Sequence, residues 1–214
     1  LRRAAYLAAR ANYRQTCVNL LDGILQEAWH LNNEFLRLCG VGVTGGVRRT
    51  DMSAYDWADL QRTATAGAYS MADELGLPRP KNVTTVKPSG TLSKVMDTTE
   101  GMHKPLGKYI FNNVNFGKYD PLVPLCRAAG YKVIDNPTDP SAVLITFPVK
   151  WDDVPFDTVV KEIDGKKVTL EVNLETAVEQ LERYKLLQEN WCQQNVSSTI
   201  SYSPDEVEDI VDWL

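Results

Sequence analysis

The stretch Val83-Thr84-Thr85-Val86-Lys87-Pro88-Ser89-Gly90-Thr91-Leu92-Ser93, followed by Glu100-Gly101-Met102-His103, decides how this chain is read. A β-rich run, Val83 to Val86, meets a Pro-Ser-Gly turn, and a hydroxyl-rich, helix-compatible segment follows. That order presents free backbone N–H groups and the hydroxyls of Ser89, Thr91 and Ser93 at one helix start. The first N–H groups of a helix lack intrahelical partners and the helix dipole is positive there, so such a start attracts phosphate. Gly90 lets the backbone approach an oxyanion closely, and Lys87 is a candidate for added charge. The same letters also suit an ordinary turn in which Ser89 only caps the helix.

Other phosphate signatures are absent. The chain has no Gly-x-x-x-x-Gly-Lys-Ser/Thr loop, and Val41-Gly42-Val43-Thr44-Gly45-Gly46 lacks the full dinucleotide-binding fingerprint. Of 214 residues, 43% are hydrophobic and 24% charged, the composition of a globular protein rather than a disordered one. A net charge of −5 argues against direct nucleic-acid binding, which needs a basic surface, but not against a mononucleotide. No apolar run approaches the roughly 18 residues that span a bilayer, so no membrane partner is expected. Cys17, Cys39, Cys126 and Cys192 are scattered, without metal-ligand spacing. They read as free core thiols in a reducing, cytoplasmic setting, and no metal site is expected.

Outward from the central stretch, helices and strands alternate. Residues 1–38 read as helix in one or two pieces, with Cys17, Leu20, Ile24, Ala28, Leu31, Phe35 and Leu38 as an apolar stripe and Gly40 as its cap. Val41 to Gly46 reads as a short strand and turn. Ser53 caps a helix to Leu75, stopped by Gly76 and Pro78. Strands are expected at 82–86, 108–116, 131–135, 142–148 and 196–202, and helices at 90–96, 120–129 and 174–191, with a last one from Pro204. Asp164-Gly165 marks a hairpin turn within 161–172. The pattern implies an α/β fold with a partly parallel sheet, suiting a barrel and a doubly wound sheet equally.

Two further features were weighed. Glu100 and His103 pair a carboxylate with one of two histidines, which suits acid/base work or plain loop packing. His30 reads as structural, and the acidic run Asp205 to Asp212 as a solvated helix face. Leu1 begins inside a helical pattern whose Arg10 and Arg14 exclude a signal peptide's apolar core, and the final helix continues to Leu214. Both ends fit a segment of a longer protein.

The central stretch resembles ribonucleotide reductase, most closely the monomeric, adenosylcobalamin-dependent (class II) ribonucleoside-triphosphate reductases. Gly40 to Gly45, Tyr119-Asp120-Pro121-Leu122-Val123 with Ala129-Gly130-Tyr131, and Gln188-Glu189-Asn190-Trp191 with Asn195-Val196-Ser197 resemble further parts of that family. The resemblance implies that residues 1–214 are a C-terminal portion of a ten-stranded α/β barrel, with no internal boundary. It places the substrate's phosphates on Ser89, Gly90, Thr91, Leu92 (through its backbone) and Ser93. It implies adenosylcobalamin as cofactor, a ribonucleoside triphosphate as substrate, thioredoxin or a similar dithiol as reductant, and the remainder of the barrel as partner. The family's chemistry runs through a thiyl-radical cysteine that abstracts the ribose 3′-hydrogen and a cysteine pair that reduces C2′. The expected Asn-x-Cys-x-Glu pattern and the terminal cysteine pair are not in this sequence, so no catalytic residue is assigned, and the chain alone is expected to be inactive. Two alternatives stand beside this one. One is the large subunit of another reductase class; the other is a non-catalytic piece of a split or intein-interrupted gene that binds a complementary chain.

Overall fold

A computed structural model describes residues 1–21 and 23–214, apart from the side chain of Thr91. In chain order the elements are α1 (Arg2–Gln15), α2 (Glu27–Leu36), β1 (Val41–Gly42), α3 (Ala54–Leu75), β2 (Thr84–Thr85) and α4 (Gly90–Val95). Then come β3 (Tyr109–Gly117), α5 (Leu122–Ala128), β4 (Lys132–Asp135), β5 (Ala142–Lys150), β6 (Asp157–Ile163), β7 (Lys166–Val172), α6 (Ala177–Asn190) and α7 (Val207–Trp213). They form two compact units, one of Leu1–Lys104 with Glu175–Leu214, the other of Pro105–Leu174.

The first unit is built on α3. Its start is fixed by a capping box, in which Ser53 accepts from Asp56 N–H and the Asp56 carboxylate accepts from Ser53 N–H. Its end is fixed by Gly76 in the left-handed region, φ 65°. One face is a row of small residues, Ala64, Gly67, Ala68 and Ala72, all buried. Against it lies α1, which buries Ala9 and Tyr13. The polar edges of this pair are tied by Tyr6 Oη donating to Ser70 Oγ (2.8 Å) and by the Arg10–Glu74 ion pair (2.6 Å). The core adds Trp57, Val83, Val86, Leu187 and Trp191.

Two expectations fail in this unit. The stripe from Cys17 to Leu38 is not a continuous helical face. The segment after Gln15 leaves the helix, Gly23 takes φ 84°, and Asn19 Oδ1 accepts from Leu21 N–H in a local turn. Ile24 is consequently 85% exposed and Phe35 65% exposed, and α2 ends at Arg37 in the left-handed region rather than at Gly40. The residues 196–202 also form no strand. Only Val196 bridges Val86, because the neighbouring positions make no further ladder bonds.

The second unit is antiparallel. β3, β5 and β4 pair in that order, with Val114 opposite Ile145 and Val133 opposite Ile145 from the other side. One face packs Val143, Ile145, Phe116, Val133 and Phe147 against Val123 and Cys126 of α5. β6 and β7 form the expected hairpin, and Asp164 (φ 51°) and Gly165 (φ 73°) supply its two left-handed turn residues. Parallel pairing among the described residues is confined to β1–β2 and the Val86–Val196 bridge.

The contact of α1 with α3 yields a test. A Cβ added at Gly67 would lie 2.3 Å from the carbonyl oxygen of Tyr6. Backbone cannot swing away as a flexible side chain can, so Gly67→Ala must push the helices apart. Alanine gains up to about 1 kcal/mol of helix propensity, while overpacking costs about 1–3 kcal/mol. The net expectation is destabilisation by about 1–2 kcal/mol in urea unfolding. A variant as stable as the parent would contradict this packing.

Candidate functional site

β1 and β2 run parallel, Val41 opposite Thr84 and Gly42 opposite Thr85. Each opens at its carboxyl end into a glycine-bearing turn, Val43 to Gly46 from β1 and Lys87 to Gly90 from β2. Crevices at the carboxyl ends of parallel strands are where α/β folds bind ligands. The other flank of β2 is held by the segment after α6. Val86 N–H donates to Asn195 O (3.2 Å) and Ser197 N–H to Val86 O (2.9 Å). Trp191 Nε1 donates to Thr85 O (2.9 Å), and Thr84 Oγ1 donates to Trp191 O (2.5 Å). Three stretches far apart in sequence, 40–46, 83–93 and 188–197, therefore meet around β2.

The turn after β2 has an unexpected conformation. Ser89, not Gly90, takes the left-handed backbone, φ 58° and ψ 27°. Ser89 stands at the N-cap position of α4, yet its side chain makes no capping bond. Its hydroxyl instead donates back to Lys87 O at 3.3 Å. The ordinary cap reading of Ser89 is thus not what the hydroxyl does. Ser93 is fully buried, its hydroxyl donating to Gly90 O (3.4 Å) and its N–H to Ser89 O (2.9 Å). Leu92 is 41% exposed. Thr91 lies in α4, and its side chain is outside the described residues. A Cβ at Gly90 would meet nothing within 4 Å.

The turn after β1 seats the loop that follows α4. Gly45 N–H donates to Thr99 O (2.9 Å), Gly46 N–H to Gly101 O (3.0 Å) and Thr44 Oγ1 to Thr99 O (3.0 Å). Arg48 donates to Asp97 O (3.2 Å) and Thr98 Oγ1 (2.9 Å). A Cβ on Gly45 would fall 2.2 Å from Thr98 Oγ1, and one on Gly46 1.8 Å from Met102 Sδ. Sequence reading found the Gly45-Gly46 turn but not its partners. The only signal was the glycine doublet, which does not say what occupies the space.

Glu100 and His103 meet here with a third group. Lys94 Nζ lies 2.7 Å and His103 Nε2 3.7 Å from the Glu100 carboxylate. Burial holds the His103 imidazole below its ordinary value, although the Glu100 charge pushes the other way. Its Nδ1 is buried with no partner among the described residues. Burial also pushes the thiols of Cys39 up to about 11 and Cys192 up to about 12, so both are inert core groups. No metal-binding cluster exists among the described residues, and no described helix is long and apolar enough to cross a membrane.

An adenosylcobalamin-dependent ribonucleoside-triphosphate reductase of Levilactobacillus brevis is 33% identical over 157 residues, covering 72% of this chain. Those of Lacticaseibacillus paracasei and Lactobacillus leichmannii are 28% and 30% identical over the same share. The chain is homologous to these reductases over most of its length. It spans 19% of the first two and 20% of the third. A solved B-12-dependent (class II) ribonucleotide reductase superposes with a TM-score of 0.73 at 21% identity, covering 99% of this chain and 32% of that one. The α/β fold is accordingly shared with a class II reductase. No protein-family model matches the chain. The homology to the reductases agrees with the family that the sequence resembles.

The His103 environment makes stability depend on pH. The folded imidazole is held below 6.5, so the unfolded chain takes up the proton first as pH falls. The stability tied to neutral His103 is fully present above pH 6.5 and declines as pH drops through that value toward the folded one. His103→Gln should lose less stability between pH 7.5 and 5.5 than the parent, measured by urea midpoints. Equal losses would show that His103 titrates like an exposed histidine.

Proposed function

We propose that this chain is a C-terminal portion of the ten-stranded barrel domain of a ribonucleoside-triphosphate reductase, and that Ser89 to Ser93 hold the substrate's phosphates. The observation that carries the site is Gly90. Glycine costs a helix about 1 kcal/mol relative to alanine. Here it is required neither by a positive φ, which Ser89 takes, nor by packing, since the space beside it is open. Open space beside a glycine at a helix start leaves room for a ligand to approach the backbone closely. The first N–H groups of α4, those of Gly90, Thr91 and Leu92, are the donors for that anion. Ser89 and Ser93 shape the turn through their hydroxyl bonds to Lys87 O and Gly90 O.

The reaction is reduction of a ribonucleotide to the 2′-deoxyribonucleotide, with a dithiol such as thioredoxin as reductant. Adenosylcobalamin, when bound to the whole enzyme, would supply the radical chemistry. Among the described residues neither histidine is placed as a ligand to cobalt. His30 Nδ1 accepts from Leu20 N–H, and its Nε2 faces Glu34; His103 faces Glu100 and is largely buried. Neither presents an exposed, unpartnered imidazole nitrogen, since the one unpartnered nitrogen, His103 Nδ1, is buried; this chain is read as the phosphate cradle and barrel wall, with the thiyl and redox cysteines in the rest of the enzyme.

Two measurements test the reading. In the full-length protein, deoxynucleotide should form from a ribonucleoside triphosphate and a dithiol only when adenosylcobalamin is added. Cobalamin-independent turnover would move the protein to another reductase class, and no turnover in a folded preparation would favour a non-catalytic piece. Gly90→Val should weaken triphosphate binding at least about tenfold, the scale of losing one charge-assisted hydrogen bond. Because its side chain enters open space, folding stability should change by only about 0.5 kcal/mol. Unchanged affinity in the folded variant would remove the site from this turn.

A further inference from the structure

Lys87 leaves β2 on the same face as Thr85, two residues before it, and Thr85 is the partner of Gly42 on β1. Its side chain leans diagonally across the strand pair, as neighbours two positions off register do. The stem lies directly over Gly42: a Cβ there would stand 3.3 Å from Lys87 Cγ, 3.6 Å from Cδ and 3.7 Å from Cε. Gly42 is exposed and has no positive φ, so neither solvent nor backbone explains the missing side chain. The Lys87 stem occupies the space a side chain there would take.

The ammonium at the end of that stem differs from that of Lys94 in the same unit, which pairs with the Glu100 carboxylate. Lys87 is exposed and pairs with no carboxylate among the described residues. It sits one residue before the Pro-Ser-Gly turn, and its own carbonyl accepts the Ser89 hydroxyl. An unpaired cation whose stem lies over a glycine, beside a turn that presents backbone N–H groups, is suited to an anion.

We propose that Lys87, seated on Gly42, is the charge that makes this site select a ligand by its phosphates. The proposal rests on the phosphate-site reading and extends it to a pair of residues on two strands. A lysine acts as a point charge without fixed geometry, so arginine should replace it in part. Gly42 acts only through Lys87, as a positioning residue.

The test uses the full-length protein and calorimetric binding of ribonucleoside triphosphates and of the matching nucleosides, over a range of salt. Lys87→Met should weaken triphosphate binding about tenfold, leave nucleoside binding unchanged and flatten the salt dependence. Lys87→Arg should keep most of the affinity. Gly42→Ala should weaken triphosphate binding in the parent and add nothing in the Lys87→Met background, a coupling that a merely structural glycine would not show. Thermal midpoints confirm that each variant is folded. If Gly90→Val weakens binding while Lys87→Met does not, the Lys87 assignment falls and the phosphate site stands. If neither weakens it, the site itself falls and Lys87 with it. Additive losses from Gly42→Ala and Lys87→Met would overturn the seat.

Discussion

The two-residue strand β2 is the constraint on which the first unit depends. Thr84 is fully buried, and a buried hydroxyl without a partner would be costly. It donates to the Trp191 carbonyl, while the Trp191 indole donates to the Thr85 carbonyl. This reciprocal pair fastens the end of α6 to the strand. Trp191 in turn meets Trp57 of α3 edge to face, with centroids 6.3 Å apart. Gln193 extends the tie, its N–H donating to Thr84 O and its side chain accepting from Val83 N–H. Each bond contributes about 1 kcal/mol at most, but together they leave β2 one register. The turn from Lys87 to Ser93 inherits its position from that register.

Glycine does different work at each place along these strands. Gly67 brings two helix backbones into contact, and Gly45 and Gly46 make room for Thr98 and Met102. In these cases the neighbour that excludes a side chain is part of the same unit. Gly42 is intermediate, since its neighbour is the flexible stem of Lys87. Gly90 has no internal neighbour at all. The series separates glycines that make room for a neighbour in the same unit from one that faces open space.

The parts legible in the sequence are those whose signals are local. Ser53 with Asp56 and Gly76 bound α3 on both sides, and Asp164-Gly165 sets its hairpin, because caps and two-residue turns are decided by the residues that form them. The stripe from Cys17 to Leu38 misled because spacing alone cannot see Gly23 and the Asn19 turn breaking the helix. The alternation from Val196 to Tyr202 misled because a strand needs a partner along its length, and β2 offers one only at Val86. At the candidate site, the Pro-Ser-Gly turn was visible, but the left-handed Ser89 was not, since glycine is the usual bearer of that conformation. The seat of Lys87 on Gly42 depends on the pairing of residues far apart in the chain, which no local pattern encodes.

A chain of net charge −5 is a poor attractor of nucleotides at long range. At physiological ionic strength, however, exposed charges beyond about 8 Å are largely screened, so the field at the turn is set by its immediate surroundings. There the Glu100 carboxylate is occupied by Lys94 and faces His103. What remains beside the turn is the start of a helix and an ammonium without a counter-ion. On the phosphate-site proposal, such a local balance would favour an anion even where the whole molecule does not, and recognition would depend on the few atoms around β2 rather than on overall charge.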